Sequence, residues 1–353
     1  MKKVLNILLV LCLVLSVLSL PLVYAAEDSW TSMEPTSSAM SGIGVAVVNG
    51  KIYTMGSNYD NQNINEEYDP VTNTWTTKTP MPTPRSSFGI AVVENRIYAI
   101  GGDSGNWTTG RIITNVNEIY DPATDTWETK TSMPTPRYAL EANLVNGKIY
   151  LIGGNSIVNE VYDPVTDSWT TKTPIPIGVG YYASAVADNK IFIIGGAVGL
   201  SHNQIYDSET DTWSSGAPLP TGVDSAAAGV TAGVTDTQRI FVIGGKENLD
   251  AVNLNQVYDP ETDTWTYGAS MPTARYSLGV AVVNDSLYAI GGREGWVGFP
   301  VSAANERYTP AGYIPEFPSW TPMLLFLVVL AVALAICKRR LHRTPISVAG
   351  LKG

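Results

Sequence analysis

Cysteine and histidine are both scarce in this chain of 353 residues, which contains two of each. Cys12 and Cys337 lie in apolar runs at the two ends, so the region between them has no disulfide, thiolate nucleophile or cysteine metal site. His342 belongs to a basic tail, which leaves His202 alone in the central region. Because zinc clusters and Ser-His-Asp catalysis need imidazole at defined positions, the sequence predicts no metal site, no cofactor and no catalytic residue of these kinds.

Positive charge is also scarce, with 22 Lys and Arg against 32 Asp and Glu and a net charge of −10. Cations cluster in the two end segments, which leaves the region between them with a net charge of about −17. Such a surface repels phosphate backbones, so nucleic acid is not an expected partner. The cations of the end segments are Lys2, Lys3, Lys338, Arg339, Arg340, Arg343 and Lys352.

Both ends carry membrane-related signals. Residues 1–25 are typical of a secretory signal peptide, with two lysines, an apolar stretch and small residues near Ala25. Residues 320–337 are apolar and uncharged, and the basic segment 338–353 follows them. This pattern predicts a transmembrane helix with the basic tail in the cytoplasm, so the region between the two ends is expected to be exported and held at the cell surface.

One unit occurs six times between the two ends. It consists of a small-residue segment, an aliphatic segment ending in Gly-Gly, the pattern Asn-(Glu/Gln)-x-Tyr, a turn and a Trp. The second copy shows SFGIAVV at 87–93, RIYAIGG at 96–102 and NEIYDPATDTW at 117–127. Four short β-patterned segments per repeat are typical of a propeller blade. The matching tyrosines are Tyr68, Tyr120, Tyr162, Tyr206, Tyr258 and Tyr308, and the tryptophans are Trp75, Trp127, Trp169, Trp213 and Trp265.

These residues resemble the kelch family, whose blades carry the same Gly-Gly doublet and spaced Tyr and Trp. The resemblance covers residues 28–310 and implies an all-β, six-bladed kelch-type β-propeller. The sixth copy lacks a Trp after Tyr308, whereas an additional Trp occurs at Trp30. We therefore expect the N-terminal segment to supply the outer strand of the sixth blade, which leaves no exposed edge. Since the family includes binding modules and a few enzymes, the resemblance implies the fold more strongly than the function.

The segment 311–319 contains Pro315-Glu316-Phe317 before the predicted span. It resembles the Pro-Glu-Phe type of carboxyl-terminal sorting signal on archaeal surface proteins. This resemblance implies a sortase-like processing enzyme as a partner, which would cut near the motif and replace the helix with a lipid anchor. A plain single-span anchor is the alternative.

The loops that follow Gly-Gly and those that lead into the inner strands are expected on one face. Arg85, Arg137 and Arg275 stand at the starts of three inner strands, and Arg293 follows a Gly-Gly pair. They are candidate binding residues. The alternative is that the first three donate hydrogen bonds to neighbouring loop carbonyls. Met40, Val179 and Gly222 stand near the same position in the other three units.

Two long post-glycine loops carry aromatic residues that the repeat does not require. Trp107 and Arg111 belong to one loop and Trp296 to the other, and Tyr182 at a strand start could extend the same surface. Loop aromatics beside arginine suit stacking on a sugar or anchoring a partner protein. The alternative is that these rings cover only their own loops.

The third inner segment carries Glu141 and Asn143 where the second has Gly89 and Ala91. A carboxylate near the axis requires a partner or water, and Arg85 or Arg137 could pair with it. Either a structural ion pair or channel water accounts for Glu141, or it has a ligand-binding or acid/base role. The repeated Asp-Pro acids on the opposite face are interpreted as turn residues rather than calcium ligands.

The sequence therefore favours a non-catalytic binding module for a protein or a glycan, held in the membrane by its C-terminal helix. Two alternatives stay open. One is a sugar isomerase or lyase that uses Glu141, and the other is a passive element of the cell envelope.

Overall fold

The computed structural model describes residues 27–58, 63–105, 109–198, 200–231, 238–295 and 300–311. Within these residues, six antiparallel sheets of four strands form the blades of a propeller, which confirms the predicted six-bladed all-β fold. The described part contains no helix with the length and apolar character of a membrane span. The predicted signal peptide and the predicted transmembrane helix lie outside the described residues, as does nearly all of the predicted linker.

The first strand, β1, spans Ser29–Ser32 and belongs to the sixth blade. Blade one contains β2 (Gly44–Val48), β3 (Lys51–Met55), β4 (Asn65–Asp69) and β5 (Thr74–Thr77). Blade two contains β6 (Gly89–Val93), β7 (Arg96–Ile100), β8 (Asn117–Asp121) and β9 (Thr126–Lys130). Blade three contains β10 (Ala142–Val145), β11 (Lys148–Ile152), β12 (Asn159–Asp163) and β13 (Ser168–Thr171).

The second half of the ring follows the same plan. Blade four contains β14 (Ala183–Ala187), β15 (Lys190–Ile194), β16 (Asn203–Asp207) and β17 (Thr212–Ser215). Blade five contains β18 (Ala227–Thr231), β19 (Arg239–Ile243), β22 (Asn255–Asp259) and β23 (Thr264–Tyr267), with the short hairpin β20 (Lys246–Glu247) and β21 (Asp250–Ala251) in its loop. Blade six contains β24 (Gly279–Val283), β25 (Ser286–Ile290) and β26 (Asn305–Thr309).

The inner strands of neighbouring blades contact one another all the way round, and β24 of blade six contacts β2 of blade one. Strand β1 pairs antiparallel with β26, and Trp30 lies opposite Tyr308. The prediction that the N-terminal segment supplies the outer strand of the sixth blade is therefore confirmed.

The outer part of each blade is tied to the preceding blade by side chains of the repeat. In blade two, Tyr120 donates a hydrogen bond to Asp125 (2.6 Å), and Asp125 also accepts the backbone N–H of Thr79 in blade one (2.9 Å). The indole of Trp127 donates to the carbonyl of Thr79 (2.9 Å) and packs against Tyr120, with ring centroids 5.1 Å apart. The repeated Tyr and Trp thus cover the blade and join it to its neighbour.

The N-terminal segment makes the same contacts for blade six. Asp28 accepts hydrogen bonds from Tyr308 (2.7 Å) and from the backbone N–H of Ala269 in blade five (2.6 Å). The indole of Trp30 donates to the carbonyl of Ala269 (2.8 Å). Residues from opposite ends of the propeller therefore close it with the contacts that join the other blades.

The Gly-Gly doublets allow close approach of the neighbouring blade. Gly101 and Gly102 have φ angles of 70° and 106°, which favour glycine. A Cβ on Gly101 would lie 2.8 Å from the carbonyl oxygen of Arg137, and the N–H of Gly102 donates to that oxygen (2.8 Å).

The structure corrects the expected position of three arginines. Arg85 and Arg275 are fully buried and Arg137 is 3% exposed, so none of them lies on the loop face. Each guanidinium pairs with a glutamate on the third strand of its own blade. Each one also donates hydrogen bonds to backbone carbonyls, which is the alternative role that the sequence analysis left open. The ion pairs are Arg85–Glu118 (2.5 Å), Arg137–Glu160 (2.8 Å) and Arg275–Glu306 (2.7 Å).

The other blades show how this charge is balanced. The residues that replace arginine are Met40, Val179 and Val223, the last being one position beyond the expected Gly222. In blades four and five the glutamate is also replaced, by Gln204 and Gln256. Gln204 accepts the N–H of Ile177 (2.9 Å) and donates to its carbonyl (3.1 Å), and Gln256 does the same with Thr221.

Blade one keeps the glutamate without the arginine. Glu66 is 1% exposed, and its Oε2 atom has no hydrogen-bond partner within the described residues. Burial raises the pKa of Glu66, and hydrogen bonds from Ser37 partly oppose this rise. A buried carboxylate without a cation is costly, so Glu66 destabilises the fold once it ionises.

Replacing Trp30 with alanine tests ring closure. We expect Trp30→Ala to lower the free energy of unfolding by about 2–3 kcal/mol because a partly buried indole and its hydrogen bond are lost. The matched control is Trp265→Ala, which removes the same residue from blade five. Urea unfolding should give similar losses for the two variants. A loss for Trp265→Ala alone would contradict closure by β1.

Replacing two glutamates with glutamine should change stability in opposite directions. Glu66→Gln should raise the free energy of unfolding at neutral pH by about 1 kcal/mol, because it removes an unpaired buried charge. Glu160→Gln should lower it by about 3–5 kcal/mol, because Arg137 loses its partner. Both changes can be measured by chemical unfolding.

The gain from Glu66→Gln should depend on pH. A carboxyl whose folded pKa is raised favours the protonated form in the folded state, so its destabilising effect begins as pH rises above the unfolded value of about 4.3. The gain should therefore shrink as pH falls to about 4. A gain that stays constant between pH values of about 4 and 7 would contradict this account.

Candidate ligand-binding face

Two sets of loops meet on one face of the propeller, which is called the loop face here. Isolated β-bridges join the start of an inner strand to a post-glycine residue in several blades: Ser86 to Asp103, Ser156 to Val179, Asp224 to Lys246 and Tyr276 to Arg293. The expectation that these loops share a face is confirmed.

Six residues form a closed ring of backbone hydrogen bonds where the inner strands begin, and this set is called the mouth ring. Each residue has a φ between 52° and 63°, and its N–H donates to the carbonyl of the corresponding residue in the preceding blade at 2.7–3.0 Å. The ring orders the loop face around the axis. Its members are Gly42, Ser87, Ala139, Tyr181, Ser225 and Ser277.

An arginine and two tyrosines form a cluster beside the mouth ring, the Arg111 cluster. The guanidinium of Arg111 lies 4.2 Å from the ring centroid of Tyr138, donates to its hydroxyl, and pairs with Asp103 at 3.0 Å. Tyr181 meets Tyr138 edge-on, with centroids 6.0 Å apart. Burial raises the pKa of Tyr181 to about 12. The Arg111 side chain is still 52% exposed, so a ligand can contact the cluster.

Basic residues follow the Gly-Gly pairs of blades five and six. Arg293 donates to Ser41 and to Asn58, both at 3.2 Å. Lys246 lies 3.4 Å from the Asp224 carboxylate. The predicted site residue Arg293 therefore lies on the loop face.

Exposed aliphatic side chains occur on the post-glycine loops of four consecutive blades. Sequence reasoning overlooked them, although they fall outside the strand pattern and could have been noticed for that reason. The residues are Ile112, Ile157, Val198 and Leu249, which are between 48% and 60% exposed.

Glu141 lies in the axial channel of the propeller. It lines a cavity of about 60 Å³ together with Ser184 and apolar residues of the other blades. Burial raises the pKa of Glu141 to about 8. The expectation that Arg85 or Arg137 pairs with Glu141 is wrong, because both are engaged in other ion pairs. The Glu141 carboxylate has no hydrogen bond or ion pair with any described residue.

Tyr182 lies in the interior rather than on the loop face, which corrects its expected position. It is 2% exposed. Its hydroxyl accepts the backbone N–H of Glu141 (3.1 Å) and donates to the carbonyl of Ile152. Tyr182 therefore positions the start of the third inner strand.

Two aromatic residues that the sequence singles out, Trp107 and Trp296, lie outside the described residues, so their contribution to binding stays a prediction. On the opposite face, the Asp-Pro acids make turn contacts. Asp69, for example, accepts the N–H of Val71 (2.9 Å). The part of the chain that the structure describes holds no group of three or more His, Cys, Asp or Glu arranged to bind a metal ion.

The central region's single histidine lies in a different place from all these groups. His202 lines a groove of about 240 Å³ between the loop that enters blade four and the outer strand of that blade, together with Trp213 and Pro176. The groove also contains Gln204, whose amide is already bonded to Ile177. Among the described residues that line it, the groove brings no second titratable group to His202.

Comparison with known proteins agrees with the repeat. The chain matches the Kelch motif over residues 39–82 and the Attractin/LZTR1 beta-propeller family over residues 97–295. It is 53% identical over 38 residues to Kelch-like protein 5 of Homo sapiens, a match that covers 11% of this chain and 5% of that protein. It is 37% identical over 57 residues to the Influenza virus NS1A-binding protein homolog of Xenopus laevis, covering 16% of this chain and 9% of that protein.

The matched regions are therefore less than a tenth of the length of these curated relatives. Among solved structures, the one titled "Structure of YjhT" superimposes with a TM-score of 0.67 and 18% identity, covering 78% of this chain and 96% of that chain. At this identity the similarity establishes the fold alone. Since the family match spans more than half of its residues, the chain belongs to the Attractin/LZTR1 beta-propeller family.

Proposed function

We propose that the protein is a membrane-anchored propeller of the cell surface that binds a protein ligand through its loop face without catalysing a reaction. The Arg111 cluster carries this proposal. Its cation and two aromatic rings are held in place beside the mouth ring, although the repeat does not require them. Arginine and tyrosine are among the side chains that are enriched at the energetic centre of protein interfaces.

The exposed aliphatic residues favour a protein over a glycan. Ile112 lies on the same loop as Arg111, and Ile157 and Val198 follow on the next two blades. Aliphatic side chains on several neighbouring loops are suited to the apolar centre of a protein interface. A glycan would instead stack on aromatic rings and use polar groups, so it remains the alternative ligand.

A non-catalytic role is favoured by the surroundings of Glu141. A sugar isomerase or lyase would pair this carboxyl with a second ionisable group, and the arginines expected for that purpose are occupied by Glu118 and Glu160. The enzyme stays the runner-up function. A passive element of the envelope would have no saturable ligand.

Attachment to the membrane is proposed from the sequence. The apolar segment 320–337 and the basic segment 338–353 support an anchor, and residues 1–25 support export. The segment 311–319 supports processing by a sortase-like enzyme.

Alanine variants of the Arg111 cluster test the binding function. The purified protein is applied to an array of extracellular proteins and glycans, and any saturable ligand is measured by titration. Arg111→Ala and Tyr138→Ala should each weaken binding about 30-fold, because hot-spot side chains contribute about 2 kcal/mol. The melting temperature should stay nearly unchanged, since both side chains are at the surface.

The matched control is Arg96→Ala. Arg96 is 49% exposed and lies 3.3 Å from Glu128, but it is the first residue of β7 and follows the turn between the first two strands of blade two, on the opposite face. Its replacement should leave binding unchanged. An equal loss of affinity in all three variants, or a ligand whose affinity none of the variants changes, would contradict binding at the loop face.

Truncation tests the anchor. A chain that ends at residue 311 should be released into the medium, whereas the full chain should stay in the membrane fraction, because the truncated form lacks the predicted span. Cell fractionation followed by immunoblotting measures the difference. Retention of the truncated form at the membrane would contradict anchoring by the C-terminal segment.

A further inference from the structure

The contact between blades three and four is polar where the other five contacts are apolar. Gly89 shows the geometry, because a Cβ on it would lie 3.0 Å from Ala142 of the next blade. Glu141 and Asn143 occupy the corresponding positions in blade three and so face blade four. In the other blades these positions hold Gly44 and Ala46, Gly89 and Ala91, Ala183 and Ala185, Ala227 and Gly229, and Gly279 and Ala281.

Ser184 is the corresponding polar residue on the other side of this contact. It belongs to β14 of blade four and lines the same cavity as Glu141. The equivalent residues of the other inner strands are Val45, Ile90, Ala142, Ala228 and Val280. Three polar residues therefore replace apolar ones at one blade contact, and two of them, Glu141 and Ser184, line the cavity.

Polar groups of this contact lack partners. Asn143 is 4% exposed, and its Nδ2 atom has no hydrogen-bond partner among the described residues. The Glu141 carboxyl, which is partly buried, has no hydrogen-bond partner there either. A polar group without a partner destabilises the fold unless water or a ligand pairs with it. Because Glu141 lines the cavity, its carboxyl can bind a group that enters there.

Tyr182 is a fourth residue that departs from the repeat, and it positions the start of the third inner strand. Tyr182 stands where the other blades have Ile43, Phe88, Leu140, Ala226 or Leu278, and its hydroxyl lies between the N–H of Glu141 and the carbonyl of Ile152. Strand β10 accordingly begins one residue later than the other inner strands, at Ala142. The start of the third inner strand is thus held by a side chain that is specific to this blade contact.

We propose that the cavity lined by Glu141 and Ser184 is a binding site for a primary ammonium group. Such a group donates N–H hydrogen bonds, and the two side chains supply a carboxylate and a hydroxyl oxygen as acceptors. A cavity of about 60 Å³ has room for a group of this size, since one water needs only about 10–15 Å³. The carboxylate also neutralises the positive charge.

Other small ligands fit less well. A divalent metal ion such as calcium takes six to eight oxygen ligands, often from several carboxylates, and this cavity has one carboxylate. An anion would be repelled once Glu141 ionises. The ammonium group could belong to free ammonium or a small amine, or to a lysine side chain of a partner at the loop face, because Glu141 follows the mouth-ring residue Ala139 by only two positions.

Thermal unfolding of the full chain in detergent tests the proposal. Ammonium, methylammonium and n-butylammonium chlorides are compared with sodium, potassium and tetramethylammonium chlorides at equal ionic strength. We expect a saturable rise in melting temperature of about 2–4 °C with the ammonium and primary-amine salts. The other salts should give no saturable rise, since their cations have no N–H group to donate.

The response should increase with pH. Glu141 must be ionised to bind a cation, and its pKa is about 8, so the rise should be larger at about pH 9 than at about pH 6. The titratable neighbour Tyr182 has a pKa raised by burial and stays protonated over this range. The positive charge of Arg137 partly opposes the rise in the pKa of Tyr182, and Arg137 is itself paired with Glu160.

Variants separate the site from other effects. Glu141→Gln should abolish the response. Ser184→Ala should weaken it, because the ammonium group then loses one of its two acceptors. Glu66→Gln is the matched control, since it removes another buried glutamate of raised pKa and should keep the full response. Arg111→Ala should also keep it, so failure of the loop-face proposal is distinguishable from failure of this one.

The salts that give a response also show whether the ammonium group belongs to a free ligand or to a partner side chain. A response to ammonium itself supports a free ligand. A response to n-butylammonium and to lysine peptides alone supports a partner side chain. Equal responses to potassium and ammonium, a response that survives Glu141→Gln, or no response to any primary amine would overturn the proposal.

Discussion

A tyrosine, an acidic or amide side chain and a tryptophan tie the outer part of each blade to the backbone of the blade before it. Asp125 shows why the contact is effective, because one carboxylate oxygen accepts from its own blade and from the neighbour at once. The contact can be made for the sixth blade only if Asp28 and Trp30 return to it from the start of the chain. The mouth ring and the axial channel exist because this last contact closes the circle.

The fold could be predicted because the repeat consists of residues with strict conformational or packing demands. A glycine doublet marks a backbone with positive φ beside another blade, and a Tyr followed by a Trp marks the two outer strands. The missing sixth Trp and the additional Trp30 together predicted how the ring closes. Such features depend on neighbours that are equivalent in every blade, so the sequence pattern contains them directly.

The candidate site was less predictable, because it depends on which residues meet across different loops. Arg85, Arg137 and Arg275 look like surface residues when each is considered alone. The repeat nevertheless contained a signal for their ion pairs. Three blades have arginine at the strand start and Asn-Glu in the third strand, whereas two blades have valine at the strand start and Asn-Gln in the third strand. Arg111 and Tyr138 lie on different loops, and only the path of the backbone brings them into contact.

The mouth ring has an electrostatic consequence for anything that approaches the axis. Its peptide groups follow one another head to tail around a circle, so their dipoles run along the circumference and their vector sum nearly vanishes. A helix end, by contrast, points a net field at its ligand. The circle of amides therefore acts as an electrically neutral collar, and any preference for charge at the axis must come from the few side chains that depart from sixfold symmetry.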